Sequence, residues 1–147
     1  MATLDLPAGS RVYLDANIFI YAVERIPPYD SLLRPLFTRF DRDELDPVTS
    51  QLTLAEVLVK PIQVNSVADK EAYLSLLATD GPLEVVPVDR DILIAAATLR
   101  AQRKILLADA IHVATAVEYD CNYFLTNDQR LKLLPDVQVL LLSDYTP

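Results

Sequence analysis

Five short apolar runs, separated by longer stretches with helical spacing, constrain this chain more than any other feature of its sequence. The runs at residues 11–14, 45–49, 83–88, 122–125 and 137–142 are too short for helices and rich in residues that favour strands. Between them, residues 17–24, 31–40, 51–59, 66–78 and 108–119 carry helical patterns, as does the stretch that Asp89 or Asp91 caps and that runs to Arg103. A short helix is expected at 128–133. Strands that alternate with helices are joined by crossovers rather than hairpins, so the sheet is parallel and helices cover both of its faces. The expected class is α/β, with a central parallel sheet of about five strands. Pro47 weakens the second strand, and Pro87 pushes the third towards an edge. Pro27 and Pro28 separate the first two helices, Pro61 is expected to stop the third, and Gly81-Pro82 closes the fourth. Ser50 is the expected N-cap of the third helix.

The 147 residues fit one domain, read as spanning 1–147. A chain of this size buries roughly 70% of its unfolded surface, enough for a core without covalent staples. An apolar fraction of 52% excludes a disordered function. One cysteine, Cys121, permits no internal disulfide, and one histidine, His112, rules out two-histidine nucleases and His-ligated metal hydrolases. Any catalysis must run on carboxylates. The cysteine usage suits a reducing cytoplasm. Residues 1–10 lack the charge and apolar stretch of a signal peptide, and the charge-free run at 92–99 is far short of the ~20 residues that span a bilayer. With two glycines, the chain has neither of the glycine-rich phosphate loops. Thirteen basic against 21 acidic residues give a net charge of −8, which argues against a duplex-binding basic patch.

Four acids occupy positions with chemical meaning. Asp15 directly follows the first strand, where ligands of open α/β sheets bind; it is equally well placed as a helix N-cap. Glu56 lies on a largely apolar helix, with Leu52, Ala55 and Val59 on its face, and so needs a partner or a metal; Thr53-x-x-Glu56 also matches a capping box. Asp109 opens a helix, where the dipole favours an acid in any case. Asp128 follows the fourth strand and is both a strand-end acid and a possible N-cap. If strands one and four are neighbours, all four can meet at one edge of the sheet. Clustered carboxylates repel unless cations neutralise them, and all-oxygen ligation suits Mg²⁺ or Mn²⁺. Such ions serve phosphodiester hydrolysis.

At these residues the sequence resembles the PIN-domain family, specifically the VapC-like toxin ribonucleases. The matching segments are VYLDANIFIY at 12–21, SQLTLAEVL at 50–58, LADAIHVATA at 107–116 and YFLTND at 123–128. The resemblance implies a three-layer α/β/α sandwich and metal-dependent endoribonuclease activity on single-stranded RNA. It makes Asp15, Glu56, Asp109 and Asp128 the acidic site. It also assigns Asn17, Ser50 and Thr126 to hydrogen bonding of those acids. Asp15 and Asp109 would hold one or two Mg²⁺ or Mn²⁺ ions, with Asp128 and Glu56 completing the shell. It implies an antitoxin partner and a homodimer. Any apolar surface left exposed by residues 18–23 and 32–40 would seat the second copy or the antitoxin. His112 is expected as a surface or partly buried histidine and Cys121 as a small buried hydrophobe. Arg25, Arg34, Arg39, Arg42, Arg130 and Lys132 are candidates for steering RNA. The rival readings are a PIN fold that has lost activity and only binds a partner, and a metal-dependent phosphatase acting on small phosphoesters.

Overall fold

The computed structural model describes residues 4–146; the first three residues of the segment weighed as a leader lie outside the described residues. In chain order the elements are β1 (Arg11–Leu14), α1 (Ala16–Val23), α2 (Tyr29–Asp41), β2 (Asp46–Ser50), α3 (Gln51–Gln63), α4 (Val67–Leu76), β3 (Glu84–Val86), α5 (Arg90–Gln102), α6 (Leu107–Glu118), β4 (Tyr123–Thr126) and β5 (Gln138–Leu141). Short 3₁₀ turns follow β4 and β5. All pairings are parallel, in the order β3-β2-β1-β4-β5, so β1 and β4 are neighbours at the centre. The chain steps outward from β1 through β2 to β3, then returns to the other side of β1 for β4. The crevice at the carboxyl ends of β1 and β4 is therefore the topological switch point, where open α/β sheets bind ligands.

Alternation along the strands divides the core in two. Val12, Leu14 and Leu125 pack with Ile18, Phe19, Leu33, Leu36, Phe40, Val57 and Tyr73 beneath α1–α4. Tyr13, Val48, Val86 and Phe124 face the other way, against Ile92, Ala96, Ala110 and Val113 of α5 and α6. This is the three-layer α/β/α arrangement. The Tyr13 and Phe124 rings stack across β1 and β4 with centroids 5.1 Å apart. Each such fully buried side chain contributes roughly 1.5–3 kcal/mol of transfer free energy.

Three local readings change. Pro61 does not stop α3, which runs to Gln63. The proline removes one hydrogen bond near the helix end while its ring is buried, so the helix tolerates it. Pro47 lies inside β2, and it is accommodated because β3 begins to pair with β2 only at Val48. Finally, α3 buries Thr53, Val57 and Pro61, not the face carrying Ala55, Glu56 and Val59, which is exposed. Exposed apolar side chains gather at Val59, Ile62, Val64 and Val67, whereas Ile18, Phe19, Leu33, Leu36 and Phe40 are spent in the core. Among the described residues no helix is long and apolar enough to cross a membrane.

Candidate functional site

Asp15 caps α1 at the carboxyl end of β1. Its Oδ1 accepts from the Ala16 N–H at 2.7 Å and its Oδ2 from the Thr126 hydroxyl at 2.7 Å. Both readings of Asp15 therefore hold at once, as a cap and as a strand-end acid. At 7% exposure it is a buried carboxylate with both oxygens held by donors. Thr126, the last residue of β4, also accepts from the Asp128 N–H at 3.1 Å, so one hydroxyl ties Asp15 to the loop that carries Asp128. Asp128 in turn caps the 3₁₀ turn through the Arg130 N–H at 3.0 Å.

Asp109 sits in the first turn of α6. Arg130 spans the gap to Asp128: its guanidinium lies 2.5 Å from Asp128 Oδ2 and 3.4 Å from Asp109 Oδ2. Burial, and then the charges of Asp128 and Asp15, raise the Asp109 carboxyl above its ordinary range, with Arg130 opposing. The Arg130 hydrogen bonds hold Asp128 below its ordinary range.

Glu56 reaches the site from α3, whose start is set by the Ser50 hydroxyl capping the Leu52 N–H at 3.0 Å. Its Oε1 lies 2.5 Å from His112 Nε2, and His112 Nε2 is also 3.9 Å from Asp15 Oδ1. His112 Nδ1 lies 2.6 Å from the buried Tyr13 hydroxyl. In the neutral ring Tyr13 donates to Nδ1; in the charged ring Nδ1 donates to the Tyr13 oxygen. Either way, Nε2–H points at Glu56. Burial pulls the imidazole down, but the Glu56 hydrogen bond and the Asp15, Glu56 and Asp109 charges outweigh it, and the net shift is upward.

The structure thus brings Asp15, Asp109 and Asp128 to one end of the sheet and links Glu56 to them through His112. Of the three residues expected to hydrogen-bond the acids, Thr126 does so. Ser50 spends its hydroxyl on the α3 cap, and Asn17 is exposed, with no side-chain hydrogen bond among the described residues. His112 is the site residue that sequence reasoning missed. It is 1% exposed, not at the surface. Its position three residues after Asp109 on one helix puts the two on adjacent turns of one face, and that spacing was a usable signal. Tyr13, on β1 two residues before Asp15, turns its buried hydroxyl to His112. Cys121 is half-buried, and burial pushes its thiol up to about 12, so it is not a thiolate nucleophile.

As placed, no three His, Cys, Asp or Glu side chains among the described residues come together closely enough to enclose an ion. Arg130 stands between Asp109 and Asp128, and Glu56 is engaged by His112. The donor chemistry nevertheless fits a hard divalent cation. The three aspartates present only carboxylate oxygens, the donors that hard divalent cations take, and Arg130 already shows that a cation is accommodated between Asp109 and Asp128.

The PIN domain family model matches residues 12–137, and the chain belongs to the PIN domain family. The fold is similar to that of a toxin–antitoxin complex from Klebsiella pneumoniae, at 20% identity and a TM-score of 0.69 over 89% of this chain and 97% of that one. It is similar to VapBC2 from Rickettsia felis bound to a promoter DNA fragment, at 18% identity and a TM-score of 0.68 over 89% of this chain and 98% of that one. It is also similar to Mycobacterium tuberculosis VapC20, a sarcin–ricin loop cleaving toxin, at 12% identity and a TM-score of 0.64 over 77% and 86% of the two chains. No curated protein matches the chain.

Proposed function

We propose that this chain is a divalent-metal-dependent endoribonuclease that hydrolyses single-stranded RNA, and that it acts in the cytoplasm as the toxin of a toxin–antitoxin pair. The observation that carries the reading is the meeting of Asp15, Asp109 and Asp128 at the β1/β4 switch point, with Glu56 joined to them through His112. Asp15, Asp109, Asp128 and Glu56 would hold Mg²⁺ or Mn²⁺, which when bound supplies an activated water and neutralises charge on the phosphate. The chain's own residues do the rest. Ala16 and Thr126 hold the Asp15 carboxylate in one orientation. His112 holds one oxygen of Glu56, which leaves the other, or an oxygen of Asp128, to orient or deprotonate the attacking water. A toxin–antitoxin complex and an RNA-cleaving toxin among proteins of the same fold support the partner and substrate readings by analogy of fold. A homodimer and an antitoxin that places an arginine on the acids complete the proposal.

The test is cleavage of a single-stranded RNA by chelated protein to which Mg²⁺ or Mn²⁺ is restored, beside a small phosphomonoester. Wild type should cleave the RNA only with metal. Asp109→Asn, folded by circular dichroism, should lose more than 100-fold, beyond the roughly 10–100-fold that removal of a residue behind a ligand costs. Full activity in that variant overturns the site, and hydrolysis of the monoester alone favours the phosphatase reading. In parallel, metal should raise the melting temperature of wild type by mass action, and Asp15→Asn should remove most of the rise. An unchanged metal response in Asp15→Asn rejects Asp15 as a ligand.

A further inference from the structure

A groove of about 450 Å³ lies at the link between α5 and α6. Arg100, Arg103, Lys104 and Arg130 line it, together with Leu106 and Asp109. Four of the chain's 13 basic residues therefore converge on one groove of a protein whose net charge is −8. The cations that the sequence made candidates lie mostly elsewhere. Arg39 is paired with Asp5 and Glu44, and Lys132 with Asp144. Arg25 and Arg34 line a separate groove with Asp30 and Asp41.

The groove is built, not merely populated. Ile105, buried, anchors the link in the α5/α6 side of the core. Arg100 ties that link down by donating to the Ile105 carbonyl. Arg103 is braced by Asp136 at 3.6 Å. Lys104 is exposed and, among the described residues, makes no ion pair. Arg130 stands where the groove meets the acids.

We infer that this groove is the track for the sugar–phosphate backbone of the RNA strand beside the bond to be cut, with Arg103 and Lys104 as its phosphate contacts. The inference rests on the nuclease reading and deepens it. A chain of charge −8 repels a polyanion at long range, but at 0.1 M salt that field is screened beyond ~10 Å, and the local cations decide what is held. The volume falls in the range that accommodates a small organic ligand, here a nucleotide unit. Asp109 is part of its lining and Arg130 links it to Asp128, so a strand lying in it carries a phosphodiester to the carboxylates. The groove lacks an aromatic side chain for stacking a base, and Leu106 offers only an apolar wall. The track should therefore hold backbone in preference to sequence.

The probe is a fluorescein-labelled single-stranded oligoribonucleotide, titrated against Asp15→Asn protein, which should bind without cutting. Adding Arg103→Gln and Lys104→Gln together should weaken binding roughly tenfold or more, the loss of at least one charge-assisted hydrogen bond. The slope of log affinity against log salt should become shallower by about 0.7 per lost phosphate contact. Lys104→Gln alone, which breaks no ion pair, should move both readings in the same direction. Lys70→Gln, an exposed lysine on α4, controls for bulk charge and should change neither. In the otherwise wild-type chain, the double substitution should raise KM for RNA. Unchanged binding and salt slope in the double variant overturn the track, even where the wild type cleaves RNA. Inorganic phosphate or a mononucleotide that competes as well, site for site, as the oligonucleotide reduces the groove to a small-anion site and also overturns it. Binding that weakens as expected in a chain whose wild type never cleaves RNA keeps the track and rejects the nuclease reading.

Discussion

The two halves of the acidic site are held by opposite means. On one side, Tyr13, His112 and Glu56 form a chain of two short hydrogen bonds around a histidine that is 1% exposed, with the Asp15 carboxylate 3.9 Å from its Nε2. On the other, Asp109 and Asp128 are joined by an arginine whose side chain is 60% exposed. A buried hydrogen bond lost on one side only leaves its partner unsatisfied at a cost of about 1–3 kcal/mol. An exposed ion pair competes with water and salt and contributes little to folding. The first half is therefore part of the fold's stability. The second is a charge arrangement that a cation or a substrate can replace at small cost.

The sharpest way to break that comparison is His112→Leu against Arg130→Gln. Urea unfolding of chelated protein should show His112→Leu less stable by about 2 kcal/mol, the price of the buried Tyr13 hydroxyl left unpaired. Arg130→Gln should leave the midpoint nearly unchanged in 0.5 M salt. Adding Tyr13→Phe to His112→Leu should cost less than the sum of the two single changes, because both remove the same hydrogen bond. Equal destabilisation by the His112 and Arg130 substitutions would end the distinction.

A smaller effect sharpens the same lesson outside the site. Glu24 accepts from the Tyr73 hydroxyl at 2.7 Å and from Lys60 at 2.7 Å, and Tyr73 is buried while Lys60 is exposed. Thermal melts should show Tyr73→Phe more destabilising than Lys60→Gln, because only the first change empties a buried hydrogen bond. The Lys60 hydrogen bond is the largest influence holding the Glu24 carboxyl below its ordinary range, with burial opposing and Tyr73 helping. A carboxylate with a depressed folded-state pKa adds stability above its unfolded value, near 4.3, and that stability fades as pH falls through the folded value. Glu24→Gln should therefore flatten the acid limb of the stability profile below about pH 4.3. A limb as steep as that of wild type would remove Glu24 from the account.

How much of this was legible beforehand differs from residue to residue. Strand and helix order was legible, because apolar periodicity and capping side chains act locally: Ser50 and Asp128 cap the elements expected of them, and of the two acids that could cap α5, Asp89 does so. Pro61 misled, because a proline's cost depends on what its ring packs against. The apolar face of α3 misled too, since its residues are apolar all round and only packing decides which stripe is buried. Asp15, Asp109 and Asp128 were legible as strand-end and helix-start acids. Arg103 and Lys104 were not, because nothing in a basic residue's local sequence says that it lines a groove beside an acid from another element.

By itself, the sequence determined the alternating α/β order and the placing of acids at strand ends and helix starts, both of which follow from residue type and near-neighbour spacing. Only the tertiary structure decided that β1 and β4 lie side by side, that α6 turns His112 inward onto Tyr13 and Glu56, and that Arg130 closes the gap between Asp109 and Asp128. The physical reason is range. Backbone propensity and capping are settled within a few residues, whereas the partners of a buried polar group are brought from 56 and 99 positions away, by a packing that must satisfy every such group at once.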